Sequence, residues 1–315
     1  RECSIRVALL DALAPRAKDD PVVRDLVIEA IKSNDWQVQI AALQAFRLAP
    51  NKAAASHLVG ALKGATGRIR NEINETLKSV TGVDKHGEYE AWKTWWDENG
   101  DEFLAGTYVP HPSERADNKG NSTFYGLPVF STRLVFLLDT SASMQEKPNW
   151  LPPDFNLKGE ASRLEVAKFE LKKIITLLPA NAEFNVILFH SWLEPYSEKM
   201  KSMTGGERTK CLKWVEAIKL GDGTHTWEGI EEVYRAAGGN FWAKNASGTL
   251  DSVYLMTDGV PSSGVSDIKQ FVDKIVALNR FKKITIHTIG VDPPANGEEL
   301  LKQVAAATGG MYIRR

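Results

Sequence analysis

Three short runs in the second half of the chain are apolar at almost every position, Leu134–Leu138, Phe184–Phe189 and Ser252–Met256, and a fourth strand is expected at Ile284–Ile289, where the isoleucines are interspersed with Thr285, His287 and Thr288. A strand with one wet face alternates apolar and polar residues, so strands this uniformly apolar must be covered on both faces. Amphipathic helical stretches lie between them. The clearest starts at Ser162, where Ser162 and Glu165 have the spacing of a capping box. Its apolar stripe is Leu164, Ala167, Leu171, Ile174, Ile175 and Leu178. Further helices are expected at Lys210–Ile218, Trp227–Ala237, Asp267–Leu278 and Glu298–Ala307, the last stopped by Gly309. Short strands are expected near Pro195 and at Met311–Ile313, with Phe124–Phe130 as an edge strand. This alternation predicts an α/β doubly wound, mostly parallel sheet with helices on both sides. In such a sheet, ligands bind beyond the carboxyl ends of the strands, where strand order reverses.

The first hundred residues carry only the helical period. Ile5, Ala8, Leu9, Ala12 and Leu13 form one stripe, repeated at Val38, Ala41, Ala42, Ala45 and Phe46 and again at Ile69, Ile73 and Leu77. Second helices fall between the copies, at Val22–Ile31 behind Pro21 and at Ala53–Leu62. The period of about 31–33 residues is that of a helix-turn-helix unit in a stacked solenoid. An Arg or Gln follows the first apolar residue of each copy (Arg6, Gln39, Arg70), and this resembles HEAT-type repeats; an irregular helical bundle is the alternative. A last helix, Tyr89–Trp96, carries Trp92, Trp95 and Trp96, either as a cap on the final repeat or as a binding groove. The expected division is a helical domain at 1–103, a Pro- and Gly-containing linker at 104–123 and an α/β domain at 124–315.

Composition narrows the function classes. A net charge of −1 over 315 residues argues against a nucleic-acid binder or a polybasic membrane binder. No apolar run approaches the roughly 20 residues of a membrane span. The chain begins at Arg1, which reads as a mature or trimmed form and leaves the compartment open. Cys3 and Cys211 stand alone, without a metal-type cysteine pair. Asn121 and Asn245 open glycosylation-type tripeptides.

The chemistry gathers where apolar strands end on oxygen. Asp139, Ser141 and Ser143 follow Leu134–Leu138. The turn 221–226 (GDGTHT) presents Thr224 ahead of a helix. Asp258 ends the Ser252–Met256 strand before a Gly-Val-Pro turn. Carboxylates and hydroxyls without cysteine are hard donors suited to Mg²⁺ or Mn²⁺. Two carboxylates just balance a divalent cation, which would then stay able to accept an anionic oxygen from outside. Thr226 is an alternative to Thr224, although it is well placed to cap the next helix. Asp222 reads as a solvated residue that could add charge to the rim, His225 as a rim contact and His190 as a structural histidine. Each loop alone could be ordinary turn chemistry.

Taken together, Asp139-x-Ser141-x-Ser143, the Gly-x-Thr turn and the Thr-Asp-Gly strand end resemble a von Willebrand factor A domain with its metal-ion-dependent adhesion site. The resemblance covers about residues 124–315. It implies a Rossmann-like doubly wound fold and a divalent metal (Mg²⁺, Mn²⁺ or Ca²⁺). The metal would be held by Asp139, Ser141, Ser143, Thr224 and Asp258, some directly and some through water. It also implies a position on the metal left for an acidic side chain of a protein partner. A helical solenoid ahead of such a domain resembles a set of bacterial multidomain proteins.

The sequence departs from that pattern in two places. Ala142 stands where glycine is frequent. Residues 145–161 form an insertion rich in Pro and aromatics, either a lid or specificity loop or a plain surface excursion. The function expected is a non-enzymatic, metal-dependent protein-binding module. The alternatives are a metal-dependent hydrolase or phosphoryl-transfer enzyme, or a subunit working with an ATPase. Against an enzyme, no phosphate-binding Gly-x-x-x-x-Gly-Lys loop or Gly-x-Ser-x-Gly elbow is present.

Overall fold

The computed structural model describes residues 2–110, 123–156, 161–236, 250–259, 261–262 and 264–315. The chain divides into two compact units, one helical and one α/β. Most of the expected linker, both glycosylation-type asparagines and the end of the 145–161 insertion lie outside the described residues.

The helical unit holds α1 (Glu2–Leu13), α2 (Pro21–Ile31), α3 (Trp36–Leu48), α4 (Ala55–Leu62), α5 (Gly67–Thr81) and α6 (Tyr89–Ala105). α2 starts where Asp20 accepts from the amides of Val22 and Val23 and Pro21 fills the first helical position. α3 packs against α1, α2 and α5, and Val38, Ala41, Ala42, Ala45 and Phe46 are all buried as expected. On α1 the expected stripe is not the buried one. Ile5 and Leu9 are 65% and 53% exposed, while Val7 and Leu10 are buried. The reason is tertiary: α1 packs mainly on α3, so only the side turned to α3 is covered. The stacked helices are consistent with helical repeats.

Trp92 and Trp95 on α6 are buried, which favours packing over a groove. Asn74 of α5 latches this corner, its Oδ1 accepting from Gly87 N at 2.7 Å and Trp92 Nε1 at 2.8 Å. α6 runs on to Ala105, and Tyr108 folds back so that its hydroxyl accepts from Trp95 Nε1 at 3.0 Å.

The α/β unit begins with a small hairpin, β1 (Thr123–Phe124) and β2 (Leu127–Pro128), where one edge strand was expected. Tyr125 and Gly126 take positive φ angles of 53° and 84°, which turn the chain back on itself. The main sheet holds β3 (Arg133–Asp139), β4 (Glu183–Phe189), β5 (Leu193–Pro195), β6 (Lys201–Ser202), β7 (Ser252–Thr257), β8 (Thr285–Gly290) and β9 (Tyr312–Arg314). Its order is β5-β4-β3-β7-β8-β9 with β6 also on β4, and β4, β3, β7, β8 and β9 run parallel. The helices are α7 (Arg163–Leu177), α8 (Gly205–Glu216), α9 (Thr226–Ala236), α10 (Ile268–Asn279) and α11 (Ala295–Thr308).

The uniformly apolar strands are covered on both faces. Leu134, Phe136, Leu138, Phe184, Val186 and Leu188 join the core with Leu171 and Ile174 of α7 and Val215 of α8. On the other face Gly229 of α9 sits against Leu137 and Phe189 so closely that a Cβ there would lie 3.1 Å from Leu137. Strand order reverses at β3, which pairs with β4 on one side and β7 on the other. The crevice of the fold is therefore at the carboxyl ends of β3 and β7.

Candidate metal centre

β3 and β7 run parallel with Leu138 opposite Met256, so the residues that end them emerge side by side. Thr257 donates its hydroxyl to Asp139 Oδ2 at 2.5 Å, and Ser141 donates its amide to Asp139 Oδ1 at 2.8 Å. A 3₁₀ turn at Ala142–Gln145 brings the two serines together, with Ser141 Oγ 3.1 Å from Ser143 Oγ. Ser143 in turn donates to Asp258 Oδ1 at 2.9 Å. Four residues expected in the site thus form one continuous chain of contacts from Asp139 to Asp258.

The third loop is latched to both of these. Gly221 donates its amide to Thr140 O at 2.8 Å, and His225 donates to His190 O at 3.1 Å. A Cβ on Gly221 would lie 2.4 Å from the His190 ring, so only glycine lets the turn come this close. Thr224 is held through its backbone, its amide donating to Ser262 Oγ at 2.8 Å and its carbonyl accepting from Ser262 N at 3.0 Å. Ser262 lies just beyond Asp258, so Thr224 is fastened to the loop that follows β7. Thr226 does not cap the helix as expected. It is the first residue of α9, and its buried Oγ1 has no hydrogen-bond partner among the described residues. Its hydroxyl therefore stands as a second candidate donor beside Thr224. Asp222 is exposed, as expected of a solvated residue. His190 is buried, with Nδ1 accepting from Trp192 N and Nε2 beside Glu194 Oε1 at 3.3 Å.

The electrostatics bear on whether a cation fits. Asp139 is fully buried, and burial pushes its carboxyl up to about 6 against the pull of its hydrogen bonds from Ser141 and Thr257. Among the described residues no basic side chain pairs with it. A buried anion held only by hydroxyl and amide donors is expensive, and a nearby cation would remove that cost. Among the described residues no group of three or more His, Cys, Asp or Glu side chains gathers as a metal site. The donor set is instead two carboxylates with hydroxyls, all hard oxygens, and it fits a divalent cation such as Mg²⁺. Ser143 is exposed while Asp139 and Ser141 are buried, so the cluster opens to solvent on the Ser143 side.

Sequence reasoning missed Arg163. It follows the N-cap Ser162, whose hydroxyl accepts from Glu165 N at 3.2 Å. Its Nη1 donates to Asp258 Oδ2 at 2.9 Å and also lies 3.0 Å from Glu146 Oε2. A signal existed: a cation in the first turn of a helix opposes the macrodipole, which makes sense only if an anion faces it.

The insertion is pinned down rather than loose over its described part. Asn149 donates to both carboxylate oxygens of Asp292, at 3.0 and 2.8 Å. Trp150 packs on Tyr125 and under the Arg315 guanidinium, and Phe155 packs edge-on against Phe169.

The sequence pattern of the von Willebrand factor type A domain matches residues 154–313, just over half of the chain. The match includes Thr224 and Asp258 and begins after Ser143. Von Willebrand factor A domain-containing protein 5A of Mus musculus is 27% identical over 180 residues, 57% of this chain and 20% of its own length. The chain therefore spans only a fifth of that relative. The protein YwmD of Bacillus subtilis is 27% identical over 188 residues, 58% of this chain and 78% of its own. A solved von Willebrand factor type A structure from Catenulispora acidiphila has 17% identity and a TM-score of 0.43, covering 58% of this chain and 38% of that one.

Proposed function

The chain belongs to the von Willebrand factor type A domain family, and from that premise we propose that it is a non-enzymatic protein-binding module whose contact with its partner depends on a divalent cation. Asp139, Ser141, Ser143 and Asp258 would hold the ion, with Thr224 or Thr226 completing the set. When bound, such an ion supplies a Lewis-acidic point that a partner's Asp or Glu carboxylate can enter. The observation that carries the reading is the buried Asp139 carboxylate, unpaired with any base among the described residues and linked through the two serines to Asp258.

This chain's residues shape the approach. Ser143 marks the open side. Trp192, 74% exposed, stands on the loop after β4, where Ser191 bonds to the Asp222 carbonyl and His190 to His225. An exposed tryptophan on that rim offers apolar contact around a central acidic anchor. The helical unit would present a second docking surface of HEAT-like type.

Thermal melting in Mg²⁺, Mn²⁺, Ca²⁺ or EDTA tests the site, using the wild type and Asp139→Ala. An ion at about 100 times its dissociation constant adds about 2.7 kcal/mol. For a unit of this size that shifts the melt by roughly 5–10 °C. No shift, or an equal shift in the variant, refutes the metal site; metal-dependent turnover of phosphate esters would point to an enzyme instead.

A further inference from the structure

Arg163 sits at the centre of a cluster of anions. Its Nη1 is 2.9 Å from Asp258 Oδ2 and 3.0 Å from Glu146 Oε2, and its Nε is 3.6 Å from Asp292 Oδ2. The Ser143 carbonyl accepts from the same Nη1 at 3.4 Å. The side chain is only 11% exposed, and its Nε has no hydrogen-bond partner among the described residues. An arginine side chain carries a fixed positive charge. It is also aimed at the one candidate ligand carboxylate that has an ion pair, Asp258, while Asp139 has none among the described residues.

The same residue closes the insertion. Its amide donates to the Glu146 carbonyl at 2.9 Å, and its guanidinium holds the Glu146 side chain. Asp292, its third anion, holds Asn149 from within the inserted segment. One residue therefore contacts a candidate ligand carboxylate and the start of the neighbouring segment.

We propose that Arg163 is the resident counter-ion of the metal site. It neutralises Asp258 while no divalent ion is bound, and it lowers the site's affinity for that ion below what the carboxylates alone would give. The physical grounds are Coulombic. A fixed positive charge in contact with a ligand repels an incoming cation, and low-dielectric surroundings enlarge the effect. Without Arg163, the buried Asp258 would lose its ion pair and Asp292 would keep only its Asn149 donors, while the exposed Glu146 stays solvated; that makes a stronger attractor for a divalent ion and a weaker fold without one. This inference rests on the metal-binding reading above, and its test separates the two.

Mg²⁺ binding is measured by calorimetric titration, and melting in EDTA and in Mg²⁺, for wild type, Arg163→Gln, Arg163→Lys and Asp139→Ala. Arg163→Gln is expected to bind Mg²⁺ about tenfold or more tightly, to melt lower than wild type in EDTA, and to recover in Mg²⁺. Arg163→Lys, which keeps the charge, should bind like wild type. If Arg163→Gln does not fold in EDTA, the Mg²⁺ concentration that restores folding reads the same affinity, and failure to fold at any concentration overturns the proposal. Equal or weaker binding by Arg163→Gln also overturns it while leaving the metal site standing. Binding by neither wild type nor Arg163→Gln refutes the metal site. In that case a lower melt of Arg163→Gln in EDTA upholds the counter-ion role, and an unchanged melt removes it.

Discussion

Replacing Asp139 by asparagine isolates the cost of leaving that carboxylate charged in the metal-free protein. Burial lifts it from 3.8 to about 6, a shift of roughly two units at about 1.4 kcal/mol each, or about 3 kcal/mol. The sign follows from linkage. A carboxyl whose folded value is raised binds more protons folded than unfolded, so it weakens the fold fully above about 6. That penalty is relieved as pH falls through 6 towards 3.8. Asparagine keeps the shape and can keep both contacts. Its oxygen can still accept from Ser141 N, and its amide can donate to Thr257 Oγ1, whose own proton can turn to the Gly259 carbonyl 3.5 Å away. In EDTA at pH 7, Asp139→Asn should therefore be more stable than wild type by up to about 3 kcal/mol, read by urea denaturation. The gap should shrink as pH is lowered towards 5, and the variant should lose its stabilisation by Mg²⁺. A variant no more stable than wild type at pH 7, or a gap that does not close at low pH, would refute the claim that burial of this charge opposes folding.

Other substitutions probe the remaining claims. Asn74→Ala should cost the helical unit about 2–5 kcal/mol, because the buried donors Gly87 N and Trp92 Nε1 lose their acceptor; calorimetry should show that loss with the Mg²⁺ response of the α/β unit intact. Trp192→Ala should leave the melt within about 0.5 kcal/mol of wild type, as expected for an exposed side chain. Weaker partner capture by the same variant would place the rim in the binding face.

The α/β fold was legible because three of its central strands are almost wholly apolar and its helix signals are local. Ser162 caps α7 and Gly309 closes α11 as read. α8 begins earlier than expected because Thr204 accepts from Glu207 N in a Thr-x-x-Glu cap, a signal masked by the two glycines inside it. The hairpin at Tyr125 and Gly126 was missed for a related reason, since a tyrosine with positive φ is not a turn signal. The α1 stripe failed because identical periodicity can face a neighbour or solvent, and only packing decides which. In the site, Asp139, Ser141, Ser143 and Asp258 could be found because each sits at the end of a readable strand. The cation at the start of α7 signals only that some anion faces it; that Arg163 meets Asp258, Glu146 and Asp292 could not be read, because it depends on how α7, the insertion and the loop after β8 meet in space.

The pairing of β3 with β7 has a kinetic consequence. Asp139 and Asp258 belong to strands joined by a long stretch of chain, so the two carboxylates meet only once that distant pairing has formed. Contacts of such high sequence separation are slow to make. An ion that needs both carboxylates can grip only an almost finished domain, not template an early one. In a rapid-mixing experiment Mg²⁺ should then slow unfolding many-fold and leave the refolding rate nearly unchanged. The ion would work as a lock closed after assembly, lengthening the lifetime of the folded domain rather than hastening its birth.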